Sequence, residues 1–197
     1  MRFFAIVLLV AAVCRVTAAD APEPAADLEA AADFTKLRMD FAARPDYQGS
    51  WVSDKEREAV LALFGENKPA EFIKAADLWL EKCPVDAKVH LMRAKVALEA
   101  GDVQGHFLHR MIYYGLMSSI VLSGDGKTPK TAYKVISVDE EYALLNHIGA
   151  KLIKQSLVEG PCDKMEVKLG EAETAIFFNV GIPLAAEQRL LDSKKKE

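Results

Sequence analysis

Hydrophobic residues recur every three or four positions through four successive segments of the chain, which is the pattern of amphipathic helices. The expected helices cover residues 53–65, 69–83, 87–100 and 103–122. Ser53 precedes Glu56 by three residues, which predicts a capping box at the first helix. Pro69 opens the second helix and Gly101 ends the third. A shorter pattern of the same spacing precedes them at Phe34, Leu37 and Phe41.

Two helical hairpins in succession suggest an internal repeat, because one hairpin cannot bury its apolar face alone. Gly65 and Gly101 lie 36 residues apart, and Phe72 and Phe107 lie 35 apart. Tetratricopeptide repeats have a period of about 34 residues. The Leu-Gly and Tyr positions of that consensus are missing, so the pattern predicts tetratricopeptide-like helices and no clear repeat array.

After Gly124 the chain changes to the alternating or short apolar runs that are typical of strands. The expected strands cover residues 132–138, 152–158, 165–169 and 175–180. Between the first two, a short helix is expected to begin at Asp139 and to end by Gly149. The links between the last three strands have hairpin length, which favours an antiparallel sheet. The predicted fold class is therefore α+β, with helical hairpins followed by a small antiparallel sheet and one short helix.

One face of this β segment is expected to be apolar and to need cover from another layer. Its members are Ile136, Val138, Ile153, Leu157, Val167, Ile176 and Phe178. The helices are the nearest available cover. Residues 33–184 are therefore expected to form a single folded unit, with the helical hairpins in 33–122 and the β-containing segment in 123–184.

The first nineteen residues have the order of a cleavable secretory signal. Arg2 precedes an apolar run over residues 3–14, and small residues lead up to Ala19. A membrane span needs roughly 20 apolar residues, so we expect cleavage, a mature chain that begins at Ala19 or Asp20, and a periplasmic or extracellular location. Residues 20–32 are expected to be a flexible leader, and residues 185–197 a polar tail.

The net charge of the chain limits its binding partners, and its cysteine content limits the chemistry of its thiols. The net charge of −4 and the lack of a basic cluster argue against nucleic acid or an anionic membrane as a partner. Cleavage of the signal leaves Cys83 and Cys162, which in an exported protein are either a disulfide or two free thiols. Their spacing does not fit a zinc or redox motif.

Part of the sequence resembles a known family. The residues that carry the resemblance are Ser123-Gly124-Asp125-Gly126, Val135-Ile136-Ser137-Val138, Glu141-Tyr142, Gln155-Ser156-Leu157, Phe178-Asn179-Val180 and Pro183. Over residues 33–184, and most specifically over 123–158, the chain resembles the bacterial family named domain of unknown function 4919. The resemblance implies an exported protein with tetratricopeptide-like helices and a short β segment. It implies no activity and no catalytic residue.

Two patterns have a chemical interpretation beside a structural one. Residues 124–128 end in the Gly-Lys-Thr of a phosphate loop, but Val121 stands where the leading glycine belongs, so a turn built on Asp125 is expected. His106 and His109 share one side of a helix, where they either hold a metal with Asp102 or are simply partly exposed. No catalytic, cofactor-binding or metal-binding residue is assigned.

The remaining polar and aromatic residues have similar pairs of interpretations. The acidic triplet 139–141 is expected to offset the dipole at a helix start and not to be a catalytic pair. Four aromatic residues form either a binding surface or core, with core packing the expectation. They are Trp51, Trp79, Tyr113 and Tyr114.

The leading hypothesis is a non-enzymatic module that binds a protein or peptide partner, as helical repeats commonly do. The alternative is an enzyme or small-ligand-binding protein with a site between the helices and the sheet, near Asp125 and His106. A pocket distinguishes them, because a deep polar cleft favours the alternative and a groove of exposed aromatics favours the module.

Overall fold

Seven helices and four strands make up the part of the chain that this computed structural model describes, residues 24–51 and 54–195. The helical part consists of α1 (Pro24–Ala42), α2 (Lys55–Leu63), α3 (Pro69–Lys82), α4 (Ala87–Glu99) and α5 (Val103–Val121). The sheet part consists of β1 (Tyr133–Lys134), α6 (Val138–His147), β2 (Ala150–Val158), β3 (Cys162–Leu169), β4 (Ala172–Asn179) and α7 (Gly181–Lys194). The predicted α+β class is confirmed.

The helices lie close to their predicted bounds, but two caps differ. Ser53 lies outside the described residues, and Asp54 caps α2 by accepting a hydrogen bond from the backbone amide of Glu56 at 2.8 Å. The expected cap Asp139 is wrong. Ser137 caps α6 instead, because its backbone is extended and its hydroxyl accepts from the amide of Glu140 at 3.3 Å.

The sheet has the strand order β1-β4-β3-β2. Strands β2, β3 and β4 pair antiparallel as predicted, whereas β1 pairs parallel to β4. The strand expected over 132–138 has only two residues, because the backbone from Ile136 onwards forms hydrogen bonds outside the sheet. The Ile136 amide donates to the Glu140 carboxylate at 2.8 Å, and Ser137 begins α6.

The inner face of the sheet is apolar as expected at four of the seven predicted positions. Ile136, Val167, Ile176 and Phe178 are buried. The other three positions are wrong, with exposures of 37 % at Val138, 54 % at Ile153 and 64 % at Leu157. Ile153 sits at a bulge in β2, Val138 is the first residue of α6, and Leu157 borders the cleft described below.

Both ends of the folded unit differ from expectation. Helix α1 begins at Pro24, inside the expected leader 20–32, because that alanine-rich segment has high helix propensity. The expected polar tail 185–197 is helical as far as Lys194. Ala186 is fully buried in α7 and packs on Gly49, whose φ of +80° and closeness to Pro183 leave no room for a side chain. The predicted signal, residues 1–19, lies outside the described residues.

Successive helices from α2 to α5 pack on one another, and α1 packs on α5. At that crossing the Phe34 ring lies over Gly115, where a Cβ atom would come within 2.1 Å of the ring. The core is continuous between the helical part and the sheet part. Its buried members include Phe72, Ile120, Leu144, Met165 and Phe178. Among the described residues, no helix combines the length and the apolar character that crossing a membrane requires.

Candidate functional site

An open cleft of about 1420 Å³ lies where the helical part meets the sheet part; we call it the junction cleft. From the helical part, its lining includes Phe41, Arg44, Tyr47, Trp51, Trp79 and Lys82. From the sheet part, its lining includes Val138, Leu157, Asp163, Leu184 and Leu191. The cleft thus exists only because both parts are present.

The helical wall of the junction cleft is a packed aromatic cluster. The Phe41 ring meets the rings of Tyr47 and Trp51 edge to face, with centroids 5.7 and 5.8 Å apart. The Arg44 guanidinium lies 5.1 Å from the centre of the Phe41 ring and donates to the Lys82 carbonyl at 3.1 Å. These contacts fix the wall, because Phe41 is held by three neighbours and joins their side chains to one another.

The opposite wall is aliphatic and more exposed to solvent. Leu157 is 64 % exposed, Leu184 39 % and Leu191 49 %. Three leucines on one wall make an apolar surface that residues 24–51 and 54–195 leave uncovered. Such surfaces commonly mark interaction sites.

Away from the cleft, the two parts are joined by a fully buried arginine. Arg38 of α1 is 0 % exposed and binds the Glu140 carboxylate through two nitrogens, at 2.7 and 2.6 Å. It also donates to Ser119 at 3.1 Å and to the Lys134 carbonyl at 2.9 Å. A bidentate arginine pair of this kind is among the strongest polar contacts in proteins. One side chain therefore ties α1, α5, β1 and α6 together.

A second buried arginine lies behind the aromatic wall. Arg57 donates to Asp86 at 2.6 Å and lies 3.1 Å from the Asp139 carboxylate. Trp79 donates to the same Asp86 oxygen at 3.0 Å. Burial raises the pKa of Asp139 to about 6, although Arg57 opposes the rise. Besides its predicted position in the acidic triplet at a helix start, Asp139 therefore also contacts a buried arginine.

Glu141 is buried without such a partner. Its side chain is 0 % exposed, and among the described residues neither carboxylate oxygen has a hydrogen-bond partner. Burial raises its pKa to about 8, and the Asp163 carboxylate contributes to the rise. Asp163 is 9 % exposed, lines the junction cleft and accepts a hydrogen bond from the Gln155 amide. At this end of the cleft, Asp163 thus forms part of the lining, and Glu141 is buried near it.

A family model for a domain of unknown function, DUF4919, matches residues 25–189. The chain belongs to this family. The match spans the helical part and the sheet part, and the resemblance inferred over residues 33–184 is confirmed. No curated protein and no solved structure shows a significant match. Export and the tetratricopeptide likeness stay predictions.

In this DUF4919 chain, the two histidines considered for a metal point to different partners. His106 Nδ1 lies 2.9 Å from the Ala94 carbonyl. His109 Nδ1 lies 2.9 Å from His90 Nδ1, and His90 Nε2 lies 3.0 Å from the Pro84 carbonyl. Since a carbonyl only accepts, His90 carries its proton on Nε2 and accepts from His109. The described residues contain no group of three or more potential metal ligands.

Burial lowers the pKa of His90 to about 4 and also lowers that of His109. Both rings are consequently neutral near pH 7, and the neutral His90 can accept the hydrogen bond from His109 at its Nδ1 atom. The pair is a structural contact between α4 and α5.

The alternative site near Asp125 and His106 is not where the cleft lies, since neither residue lines it. The expected turn is present, because the Asp125 carboxylate accepts from the Lys127 amide at 2.9 Å. Gly126, at φ +65°, packs under the Tyr133 ring, where a Cβ atom would come within 2.3 Å. The loop is therefore explained by its own packing.

Among the four aromatic residues, the core interpretation holds for three. Trp51, Trp79 and Tyr113 are buried, whereas Tyr114 is 44 % exposed on the outer side of α5. Trp51 and Trp79 also border the junction cleft, so they take part in both the core and its wall.

The two cysteines are free thiols, and both are buried. Burial raises the pKa of Cys83 and of Cys162, so neither is a reactive thiolate at neutral pH. The open choice between a disulfide and two thiols is thus decided for the thiols in this structure.

Sequence reasoning considered Trp51 and Trp79 for a binding surface but assigned no role in a site to the other residues that line the cleft. One signal was present at Asp163, which alternates with Met165 and Val167 in β3. An acid in register with two buried apolar residues must lie on the inner face of the sheet. Burying a carboxylate costs free energy unless it has a partner, so its position on the inner face indicates a candidate binding site.

Proposed function

We propose that this DUF4919 protein is exported and acts without catalysis, by binding an extended segment of a protein or peptide partner in the junction cleft. The volume of about 1420 Å³ supports a peptide over a small molecule, because small-molecule sites usually measure about 300 to 1,000 Å³. The observation that carries the proposal is the exposed aliphatic wall of Leu157, Leu184 and Leu191, which no described part of the chain covers.

The residue types that line the cleft are those of an ordinary protein–protein interface. The lining combines apolar side chains with charges of both signs, among them Arg44, Lys55, Glu81, Lys82 and Glu187. Protein interfaces contain a similar mixture of apolar and charged groups. Because the aromatic wall is fixed by its own contacts, binding costs little ordering of the protein, which favours affinity.

Selection from a random peptide library on the purified protein tests the proposal. Selected peptides are expected to bind saturably and to compete with one another. Leu157→Ser and Leu184→Ser should each weaken them by about tenfold or more, since a buried leucine contributes about 1.5–3 kcal/mol and tenfold is about 1.4 kcal/mol.

Phe107→Ser is the matched control, because Phe107 is 65 % exposed on α5 and does not line the cleft. Binding that survives both leucine variants but is lost in Phe107→Ser would overturn the cleft as the site. A library that yields no saturable binder would overturn the proposal as a whole.

The proposed export depends on the signal in residues 1–19. Mass spectrometry of the protein from the exported fraction should find an N-terminus at Ala19 or Asp20. Protein that retains Met1, or that carries a lipid on Cys14, would contradict it.

A further inference from the structure

Four carboxylates are buried among the described residues, and they divide into two kinds. Those of Glu140 and Asp86 each lie 2.6 Å from an arginine nitrogen. The carboxyl groups of Glu141 and Asp163 belong to no ion pair in the described part of the chain. The charged group that contributes to the raised pKa of Glu141 is the Asp163 carboxylate. Buried charges in proteins are normally paired, so an unpaired one calls for an explanation.

No hydrogen bond or ion pair of the two acids in the described part of the chain involves a positively charged group. Polar groups close to them are the Gln155 amide, the Tyr142 hydroxyl that donates to Gln155 at 2.9 Å, and the Cys162 thiol. None of these three groups is a cation. Glu141 and Asp163 therefore form an acidic site that has no cationic partner in the described part of the chain.

The acidic site opens to the junction cleft beside an apolar surface. Asp163 lines the cleft, and Leu157 lies directly opposite it in the pairing of β2 with β3. Leu157 and Val138 are both exposed there. An aliphatic surface that leads to a pair of carboxylates matches the two halves of a lysine or arginine side chain, which has an apolar stem and a cationic end.

We propose that this end of the cleft receives a basic side chain of the bound segment, whose ammonium or guanidinium group pairs with Asp163, close to the buried Glu141. The stem of that side chain packs on Leu157. This inference rests on the proposed function, since it names the chemistry that the cleft recognises. A metal ion suits the site less well, because the described residues offer no group of three potential ligands.

The lysine side chain itself is the probe. Titration of the purified full-length protein with n-butylammonium, followed by ¹³C NMR of the carboxyl groups, should shift Asp163 and Glu141 saturably. The pKa of Glu141 should fall from about 8, because a nearby cation favours the ionised form. The neutral analogue 1-butanol should leave both signals and this pKa unchanged.

Asp163→Asn should weaken n-butylammonium binding by about tenfold or more, whereas Glu187→Gln, a neutralisation elsewhere on the cleft wall, should not. If Asp163→Asn does not fold, Glu141→Gln serves in its place. Equal shifts with 1-butanol, or unchanged binding by the folded variant, would overturn the inference.

The two proposals fail separately. Peptides that need Leu157 and Leu184 but contain no basic residue would sustain the proposed function and overturn the cation site. Binding of n-butylammonium at Asp163 without any selected peptide would sustain the cation site and overturn the proposed function.

Discussion

The junction between the helical part and the sheet part has a closed side and an open side, and two consecutive glutamates mark the difference. Glu140 faces the closed side, where Arg38 binds both of its oxygens. Glu141 adjoins the open side, where its oxygens have no partner among the described residues and Asp163 borders the cleft. The same residue type in the same helical turn thus has opposite surroundings.

Glu140 thus makes a contact that stabilises the fold, whereas the burial of Glu141 without a partner destabilises it. Removing one member of a buried ion pair leaves an uncompensated charge, which is strongly destabilising. Removing the charge of a buried carboxyl without a partner does the opposite, because folding then no longer has to desolvate it or keep it protonated. Unfavourable groups of this second kind cluster at functional sites.

The largest effect is expected from cutting the junction altogether. A chain that ends at Ser123 keeps the helical part but loses Glu140, the partner of Arg38, and the sheet part of the core that surrounds Ile120. We expect this fragment to show no cooperative unfolding in urea and to aggregate, because it exposes apolar surface. A cooperative transition by a monomeric fragment would contradict the single folded unit expected for residues 33–184.

The next effect is expected on the closed side. Arg38→Met should lower the free energy of unfolding by about 3–5 kcal/mol, since it leaves Glu140 buried without its cation. Urea denaturation measures the loss. Arg110→Met is the control, because Arg110 is exposed on α5 and its change should stay within about 0.5 kcal/mol. Similar losses in both variants would show that the closed side contributes no more to the free energy of unfolding than an exposed surface residue does.

The most specific effect is expected on the open side, where its size depends on pH and is smallest near pH 4.5. Glu141 has a folded-state pKa of about 8 against an ordinary value of 4.5, so the folded protein holds a proton that the unfolded chain releases. The stability of the wild type should therefore fall as pH rises from about 4.5 to 8, by up to about 1.4 kcal/mol for each unit of pH.

Glu141→Gln removes this dependence, so its stability gain should be absent near pH 4.5, should grow towards pH 8 and should then level off. His90 acts in the opposite sense, because its lowered pKa costs stability as pH falls from 6.5 towards 4. That cost is the same in both proteins and cancels in their difference. A gain that does not vary with pH would show that Glu141 is ionised or solvated in the folded protein.

The parts of the fold that depend on local sequence could be predicted. Pro69 and Gly101 mark helix ends correctly, and Gly160 and Gly170 mark the two hairpin turns, because these residue types have strong backbone preferences. The end helix α7 was missed. Its stability comes from the packing of Ala186 on Gly49, which no local pattern reveals.

The closed side and the open side were both beyond sequence reasoning, for a common physical reason. Arg38 and Glu140 lie 102 residues apart, and nothing in either neighbourhood indicates the other. Glu141 has the local sequence of an ordinary helix start, where carboxylates are common. Its unusual character comes from burial beside Asp163, a property of the tertiary structure.

The bulge at Ile153 has a consequence for how these molecules behave beside one another. Strand β2 is the long free edge of the sheet, and a regular edge of nine residues would invite strands from other molecules to pair with it. The bulge interrupts the pairing of β2 with β3 between Leu152 and Lys154, and the charged residues Lys151 and Lys154 lie on either side of it. At the other edge, β1 offers only two residues. Neither edge is therefore a good template for growth of the sheet from one molecule to the next.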